Sequence, residues 1–272
     1  MELSNGRQTG MRRFAAKVYY DGTAFYGSQR QPGRRTVEGE LLRALRSFGE
    51  VLNFRSAGRT DRFVSALGNV FAFDSDRRLP PRAINAELPP EIRVLSIREV
   101  PPNFHPRYDA LHRTYRYFLY DEGFDIDAIR RACRILEGEH SFHNFTRARG
   151  KNCTRRLLRV TAKKRHHVVV LSFKGESFLW EMVRRLVSAL AMVGRGELAP
   201  EELEEALSPG VERRFPASPP QFLVLWEVAY EFEFEHEAYS VARLVRELEK
   251  RFRELWAGAA MAGEMREQLL RS

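Results

Sequence analysis

Cysteine is scarce in this sequence, since Cys133 and Cys153 are the only two among 272 residues. Two cysteines exclude a disulfide-rich secreted scaffold and fit a reducing compartment. The sequence also lacks any run of about 18 apolar residues, so no membrane-spanning helix is expected. Its N-terminus, MELSNGRQTGMRRFAAK, lacks the apolar core of a signal peptide. These absences predict a soluble cytoplasmic protein.

Metal-binding and nucleotide-binding motifs are also missing. Cys133, His140, His143 and Cys153 can be written as C-x6-H-x2-H-x9-C. This spacing lacks the close cysteine pair of common zinc modules. No glycine-rich phosphate-binding loop is present either. The prediction is therefore that no metal and no other cofactor is used, and a zinc-dependent nucleic-acid enzyme remains as an alternative.

Acidic residues are outnumbered: 36 Asp and Glu stand against 45 Lys and Arg, which gives a formal net charge of +9. Most of the basic residues are arginine, whose planar fork suits phosphates and base edges better than the point charge of lysine. A nucleic acid is thus the leading partner. The competing interpretation is an arginine-rich composition, as in a GC-rich or heat-adapted genome.

Strand patterns and helix patterns alternate along the chain. The predicted strands cover residues 14–20, 69–74, 91–100, 110–120, 156–163, 167–173 and 221–234. The predicted helices cover residues 36–49, 80–88, 124–138, 178–193, 200–208 and 237–256. Hairpins accompany crossovers, which favours an α+β fold of two similar halves, each a sheet with helices on one face.

The domain boundaries follow from breaks in these patterns. Residues 1–12 are predicted to be a flexible N-terminal tail, and Pro101 and Pro102 interrupt the pattern before a boundary near residue 105. The first α+β half is therefore assigned to 13–105 and the second to 106–235. Residues 236–272 form a C-terminal helical extension.

A loop with a single carboxylate is the first candidate site. Asp61 lies in SAGRTDRFVSALGNV, directly after Arg59 and Thr60 and before an apolar strand. Catalytic groups collect on such loops. The alternative is a turn in which the Asp61 side chain bonds only to its own backbone.

An arginine- and tyrosine-rich strand and an apolar helix are the other candidates. In HRTYRYFLY, Arg113, Tyr115 and Tyr117 share one face, and arginine interleaved with aromatic residues suits base stacking with phosphate contact. A core strand with snorkelling arginines would look the same. In SFLWEMVRRLVSALAMVG, Arg184 either forms a solvated pair with Glu181 or reaches a carboxylate in a cleft.

These segments together resemble the TruA-type tRNA pseudouridine synthases, especially archaeal members. The matching stretches keep the family's order and span most of residues 18–232. They are YDGTAFYGSQRQ, SAGRTDRFVSALGNV, NFHPRYDALHRTYRYFLY, SFLWEMVRRLVSALAMVGRG and FLVLWEVAY. The resemblance implies two RRM-like halves, of the ferredoxin-like kind, joined into one mostly antiparallel sheet with helices on one face, which is the pseudouridine synthase fold.

The resemblance also implies an activity and a set of site residues. Asp61 matches the catalytic nucleophile, Arg59 the arginine that replaces the flipped base, and Tyr115 the tyrosine that stacks on the target uracil. Arg184 matches the basic partner of the nucleophile, and Leu223 the apolar residue packed against the target. Such enzymes are isomerases and homodimers without a cofactor. They modify uridines 38, 39 and 40 in the anticodon stem-loop of tRNA.

Two alternatives to this activity remain open. Related enzymes with much of the same signature act at tRNA positions 27 and 28. A non-catalytic RNA-binding protein with tandem RRM-like halves would also explain the charge and the aromatic strand.

The chain departs from the common bacterial form at Arg62, at Phe63, where glycine is usual, and at Ser28, where tryptophan is common. None of these changes removes a key residue. For catalysis, Asp61 has to be ionised, burial would raise its pKa, and a nearby Arg184 is expected to oppose that rise.

Overall fold

The computed structural model describes residues 10–148 and 152–271. The first half of the chain supplies four strands, β1 (Arg12–Tyr20), β2 (Leu52–Ser56), β3 (Ser65–Ser75) and β4 (Ile92–Glu99). It also supplies two helices, α1 (Val37–Arg46) and α2 (Pro81–Glu87). Most of the residues assigned to the predicted N-terminal tail lie outside the described residues.

The second half of the chain supplies five strands, β5 (His112–Tyr120), β6 (Gly138–Ser141), β7 (Thr154–Arg165), β8 (Val168–Gly175) and β9 (Leu223–Ala229). Its helices are α3 (Ile126–Ile135), α4 (Met182–Gly194), α5 (Pro200–Glu205) and α6 (Ala238–Arg271). None of the helices in the described part of the chain is both long and apolar enough to cross a bilayer.

In the described residues one nine-stranded sheet runs through both halves. Its strand order is β4-β1-β3-β9-β5-β8-β7-β6, with β2 paired to β3 beside this path. The pairings are antiparallel except that of β3 with β9, which is parallel. The predicted α+β class, with a joined and mostly antiparallel sheet, is therefore confirmed. The boundary near residue 105 stays a prediction.

The parallel pair is the seam between the halves. Ser65 of β3 lies opposite Val224 of β9, and Ala66 lies opposite Leu225. On its other side β9 pairs with β5, where Leu225 lies opposite Tyr115. The seam thus brings the start of β3, and the loop that precedes it, next to the middle of β5.

Helix α1 illustrates how the local sequence sets an element. The hydroxyl of Thr36 accepts a hydrogen bond from the Gly39 amide, which caps the helix start. Glu38 and Glu40 lie in the first turn, where the helix dipole favours negative charge. Val37, Leu41 and Leu45 are buried on one side, as their spacing predicts.

Four predicted element bounds are wrong by more than three residues. Strand β3 starts at Ser65 rather than residue 69, and β9 ends at Ala229 rather than residue 234. Helix α4 starts at Met182 rather than residue 178, because Glu181 has a left-handed backbone with φ of 62°. Helix α6 continues to Arg271, well past the predicted end at residue 256.

Candidate active site

The loop before β3 carries Asp61 and packs on the seam. At Gly58 of this loop, an added Cβ would lie 3.5 Å from Leu225 Cδ2 and 3.8 Å from the Tyr115 hydroxyl oxygen. Tyr115 and Leu225 come from the second half of the chain, on β5 and β9. The two halves therefore meet at this loop.

Buried hydrogen bonds hold the loop in place. The Thr60 amide donates to Ser28 Oγ at 2.8 Å, and the Ser28 amide donates to the Thr60 carbonyl at 3.1 Å. The Thr60 hydroxyl also lies 2.8 Å from the Tyr20 hydroxyl. Asn69 Nδ2 donates to the Gly58 carbonyl at 3.0 Å. Because Ser28 and Asn69 are fully buried, these bonds have little competition from water.

A buried arginine fixes the loop's N-terminal end. Arg113 donates to the carbonyl oxygens of Ala57 at 3.0 Å, Arg107 at 2.7 Å and Glu176 at 2.8 Å. The guanidinium fork can bind several acceptors at once with little loss of freedom. It therefore ties the start of the Asp61 loop to the segments that flank β5 and β8. Burial is the main reason that the pKa of Arg113 is lowered from its usual value.

Two groups from the second half contact the Asp61 carboxylate. Arg184 Nη1 lies 3.5 Å from Asp61 Oδ2, and Trp180 Nε1 donates to Asp61 Oδ1 at 3.1 Å. Arg184 is fixed by its Nε, which donates to the Ser218 carbonyl at 2.6 Å. A third charge is close, because Glu181 Oε1 lies 3.7 Å from the same Arg184 Nη1. The predicted pairing of Arg184 with a carboxylate thus occurs, and the pair with Glu181 occurs beside it.

The pKa of Asp61 lies above its usual value. Burial is the largest cause, and the negative charge of Glu181 adds to it. The positive charge of Arg184 and the hydrogen bond from Trp180 oppose the shift. Arg184 thus lowers the pKa of Asp61, as the sequence analysis expects, but it does not cancel the larger effect of burial.

Tyr115 lies under the loop with 8% of its surface exposed. Its ring packs edge-on against Phe178, with ring centroids 4.9 Å apart. Burial raises the pKa of Tyr115 to about 12, with Arg113 lowering it and Asp61 raising it further. The hydroxyl therefore stays protonated near neutral pH.

The remaining candidate residues differ in exposure. Leu223 is buried at the start of β9, opposite Tyr117 of β5. Arg59 is exposed on the same loop as Asp61. Asp61, Tyr115 and Arg184 therefore come together at the seam. Leu223 lies in β9, which is part of the seam, and Arg59 faces solvent.

Arginine and aromatic side chains surround the Asp61 loop. The guanidinium of Arg147 lies 4.7 Å from the centre of the Trp180 ring. On the side of the first half, Arg34 and Arg62 lie 4.6 Å and 4.3 Å from the Tyr26 ring centre. Such pairs suit RNA, because they offer both positive charge and stacking surfaces.

The sequence interpretation missed several residues of this site. Trp180 was not separated from its apolar neighbours, although its indole N–H donates a hydrogen bond to the Asp61 carboxylate. From the sequence, Ser28 is named only as a departure from the common bacterial form, and Asn69 is not named as a residue that holds the loop. A sequence signal exists for Trp180, since it is followed by Glu181 at the start of a helix whose other residues are strongly apolar.

The cysteines and histidines proposed for zinc have other surroundings. Cys133 is buried on α3, and His140 Nε2 lies 2.9 Å from the Glu137 carbonyl. His143 Nε2 lies 2.8 Å from the Val211 carbonyl. In residues 10–148 and 152–271, no three His, Cys, Asp or Glu side chains are arranged to hold a metal ion.

Comparisons with known proteins identify relatives along nearly the whole chain. A tRNA pseudouridine synthase A of Thermococcus sibiricus is 42% identical over 92% of this chain and 97% of its own length. Those of Thermococcus onnurineus and Pyrococcus furiosus are each 43% identical, over 93% and 89% of this chain and 98% and 92% of their own lengths.

Two further comparisons are less extensive. A family model described as tRNA pseudouridine synthase matches residues 132–231. Among solved structures, a Cbf5–Nop10–Gar1 complex matches 76% of this chain and 47% of that chain at 14% identity, with a TM-score of 0.36. A likeness of that size supports no conclusion.

The identity to the archaeal enzymes is high over almost the full length of both chains, and it includes both halves that meet at the Asp61 loop. This chain belongs to the tRNA pseudouridine synthase A family, whose members are isomerases that form pseudouridine in tRNA.

Proposed function

We propose that this enzyme converts uridine to pseudouridine in the anticodon stem-loop of tRNA, at positions 38, 39 and 40, with Asp61 as the nucleophile. The observation that supports it best is the meeting of Asp61 with Arg184 at 3.5 Å, above the buried Tyr115. Each half of the chain contributes to that arrangement, so neither half has the site alone.

The reaction breaks the N1–C1′ bond, turns the uracil and joins C5 to C1′, so that substrate and product contain the same atoms. Attack of Asp61 on C1′ and elimination to a glycal both need the carboxylate in its ionised form. Arg184 and Trp180 stabilise that form against the cost of burial. This balance matters most when RNA covers the site and excludes water.

The uridine has to leave its helical stack to reach Asp61, which costs a few kcal/mol. Tyr115 stacks on the uracil, and base–aromatic stacking contributes about 1–3 kcal/mol. Arg59, which is exposed on the same loop as Asp61, fills the gap left in the RNA. Leu223 packs against the target from the start of β9.

Mapping of pseudouridines in tRNA tests the proposal. Unmodified tRNA transcripts that carry uridine at 27, 28, 38, 39 and 40 are incubated with the protein, and pseudouridine is located by chemical labelling and primer extension. Modification confined to 38–40 is the expected result. Modification only at 27 and 28 would replace the proposed site by the related one. Tight binding without any modification would favour a non-catalytic RNA-binding protein.

The Asp61→Asn variant is the matched control for this experiment. It keeps the size of the side chain and removes the charge, so pseudouridine formation is expected to fall below detection. Binding of tRNA is expected to stay within a few-fold of the parent, because Arg59, Tyr115 and the arginines around the Asp61 loop are unchanged. Tritium release from 5-tritiated uridine in tRNA measures pseudouridine formation, and filter binding measures the affinity for tRNA. Full activity of this variant would remove Asp61 from the mechanism.

The enzyme is also proposed to be a homodimer, as the resemblance implies. Helix α6 supports this, because an apolar stripe along it is exposed. The stripe is defined by residues three, four or, in its last step, seven positions apart: Val245, Leu248, Phe252, Leu255, Ala259, Ala262 and Leu269. Apolar positions repeated in this way over several heptads are typical of helices that pair with each other.

A further inference from the structure

Trp180 is an exposed aromatic residue in contact with Asp61, with 51% of its surface accessible. Its backbone is fixed, because its carbonyl accepts hydrogen bonds from the Arg147 amide at 3.2 Å and the Thr146 hydroxyl at 3.1 Å. A large apolar ring held rigidly at the surface loses little conformational entropy when a ligand stacks on it.

The orientation of the ring follows from its hydrogen bond. The indole N–H lies in the ring plane and points at Asp61 Oδ1, 3.1 Å away. The ring faces therefore lie to the side of the carboxylate and do not cover it. Arg147 occupies one face, with its guanidinium 4.7 Å from the ring centre, and this leaves exposed ring surface for a stacking partner.

The charge around Trp180 favours a nucleotide. Arg147 is 61% exposed and is held by Glu181, 3.7 Å away, so its outer side can meet a phosphate. A flat π-surface backed by a guanidinium is the arrangement that binds single-stranded bases without reading their identity. An apolar peptide would gain nothing from the adjacent positive charge.

The position relative to Tyr115 selects which base. Tyr115 is 8% exposed below the loop and is the ring available to a base that has entered the site. Trp180 lies outside, at the rim. A base stacked on it would thus be one that remains in the strand beside the extruded nucleotide.

We propose that Trp180 and Arg147 form a stacking subsite for the RNA base adjacent to the target uridine. This subsite rests on the proposed function, since it presupposes an RNA strand whose uridine enters at Asp61. It accepts any base, because stacking is tolerant of sequence. The subsite contributes to the affinity for RNA. The hydrogen bond from the Trp180 N–H to Asp61 is a second, separate role of the same side chain.

Substitution separates these two roles. Trp180→Leu removes both the stacking surface and the N–H, and Trp180→Phe removes only the N–H. Trp180→Leu is expected to weaken binding of an unmodified tRNA transcript by about 5- to 150-fold, the range that stacking of one base gives. Trp180→Phe is expected to restore binding to within about 3-fold. Equal weakening by both variants would overturn the subsite.

The control is Trp256→Leu, since Trp256 is 65% exposed on α6 and its ring stacks on Phe252 of the same helix. It is expected to bind tRNA like the parent. Arg147→Ala removes the positive charge beside the Trp180 ring and is expected to weaken tRNA binding, whereas Arg131→Ala, at an exposed arginine on α3, is expected to bind tRNA like the parent. Quenching of tryptophan fluorescence on tRNA binding is expected in the parent and in Trp256→Phe, and it is expected to be lost in Trp180→Phe. Unchanged quenching in Trp180→Phe would contradict stacking on this ring.

A coupling experiment decides whether the partner is the adjacent base. Transcripts are assembled with an abasic nucleotide on the 5′ or the 3′ side of the mapped target uridine. One of them is expected to bind the parent protein at least 5-fold more weakly and to bind Trp180→Leu no more weakly than the intact tRNA does. Additive losses for both transcripts would overturn the subsite. A parent protein that modifies no anticodon uridine would instead overturn the proposed function, so the two failures are distinguishable.

Discussion

Glu181 competes with Asp61 for the positive charge of Arg184. Its side chain is 11% exposed and contacts Arg184 at 3.7 Å and Arg185 at 2.7 Å. The left-handed backbone of Glu181 turns the chain immediately before α4 and directs this carboxylate toward the arginines of the first helical turn. Arg184 is thus shared between two acids, of which only Asp61 is proposed to react.

The Glu181→Gln variant is predicted to extend activity to lower pH. Glu181 raises the pKa of Asp61 through its negative charge, so its removal lowers that pKa. A lower pKa leaves more of Asp61 ionised in mild acid, and the acidic limb of the pH profile of kcat/KM therefore moves to lower pH. Rates of pseudouridine formation measured from mildly acidic to neutral pH give the position of this acidic limb in the variant and the parent.

Glu197→Gln is the control, because Glu197 forms its ion pair with Arg195 at the end of α4. Its profile is expected to match the parent. The Arg184→Gln variant removes an opposing charge and is expected to move the acidic limb to higher pH. A Glu181→Gln profile that moves to higher pH would show that another group governs the limb.

The Tyr115→Phe variant is predicted to keep most of its activity, within about 3-fold of the parent, because the ring remains to stack on uracil. The hydroxyl of Tyr115, whose pKa is raised to about 12, is not ionised near neutral pH and so does not act as a base in that form. Tyr115→Leu is expected to lose at least 10-fold in kcat/KM, since it removes the ring. An inactive Tyr115→Phe protein would assign the hydroxyl an essential role.

At the scale of elements, the turn after β1 sets the position of the Asp61 loop. A Cβ added at Gly22 would overlap the backbone carbonyl of Val64, and the Gly22 amide donates to Ser65 Oγ at 3.0 Å. The turn and the last residues of the loop thus touch backbone to backbone. Any side chain at position 22 has to push the start of β3 away from the turn.

The Gly22→Ala variant is therefore predicted to lose at least 100-fold in kcat and about 1–3 kcal/mol of unfolding free energy. The loss of activity follows from the displacement of Asp61, which lies three residues before Val64. Gly210→Ala is the control, because nothing lies within 4 Å of its Cβ position. Urea denaturation and tritium release measure the two effects. Parent-like activity in Gly22→Ala would show that the loop does not depend on this contact.

Elements with a regular apolar pattern could be predicted from the sequence, and those without it could not. Helix α1 and strand β1 occur where their patterns place them. The strands β2 and β6 were missed, because LNFRS and GEHS carry few apolar residues and are strands only through pairing with β3 and β7. The start of α4 was placed too early, because Phe178 is apolar and fits the helical pattern but packs on Tyr115 instead.

The residues of the candidate site likewise include some that the sequence predicts and others that only the tertiary structure reveals. Asp61, Tyr115 and Arg184 could be proposed from the resemblance, and the structure brings them together. The hydrogen bonds of Ser28 and Asn69 to the loop could not, because they join segments more than ten residues apart. A buried polar residue has no periodic signature, so only the tertiary structure reveals what it holds.

At the scale of the whole molecule, α6 is a long helix whose surface is mostly exposed. It has 34 residues, and within it, all in the described part of the chain, Ser240 and Leu244 are buried. Arg93 binds Glu247 at 2.6 Å, and Arg251 binds Asp21, so the first half of α6 is tied to the body. From Phe252 onward almost every side chain is exposed. A helix with this many exposed apolar residues is stable in water when a partner covers them.

The dimer proposed above is predicted to depend on this stripe. Phe252 and Leu255 are 65% and 63% exposed, so replacing both by Glu leaves the core of the monomer intact and places four like charges in the paired interface. Light scattering after gel filtration at micromolar concentration is expected to give a dimer for the parent and a monomer for Phe252→Glu/Leu255→Glu. Arg253→Glu/Glu254→Lys changes charges beside the stripe and is expected to remain dimeric. A parent monomer, or a dimer that survives the double Glu substitution, would show that α6 does not join the two copies.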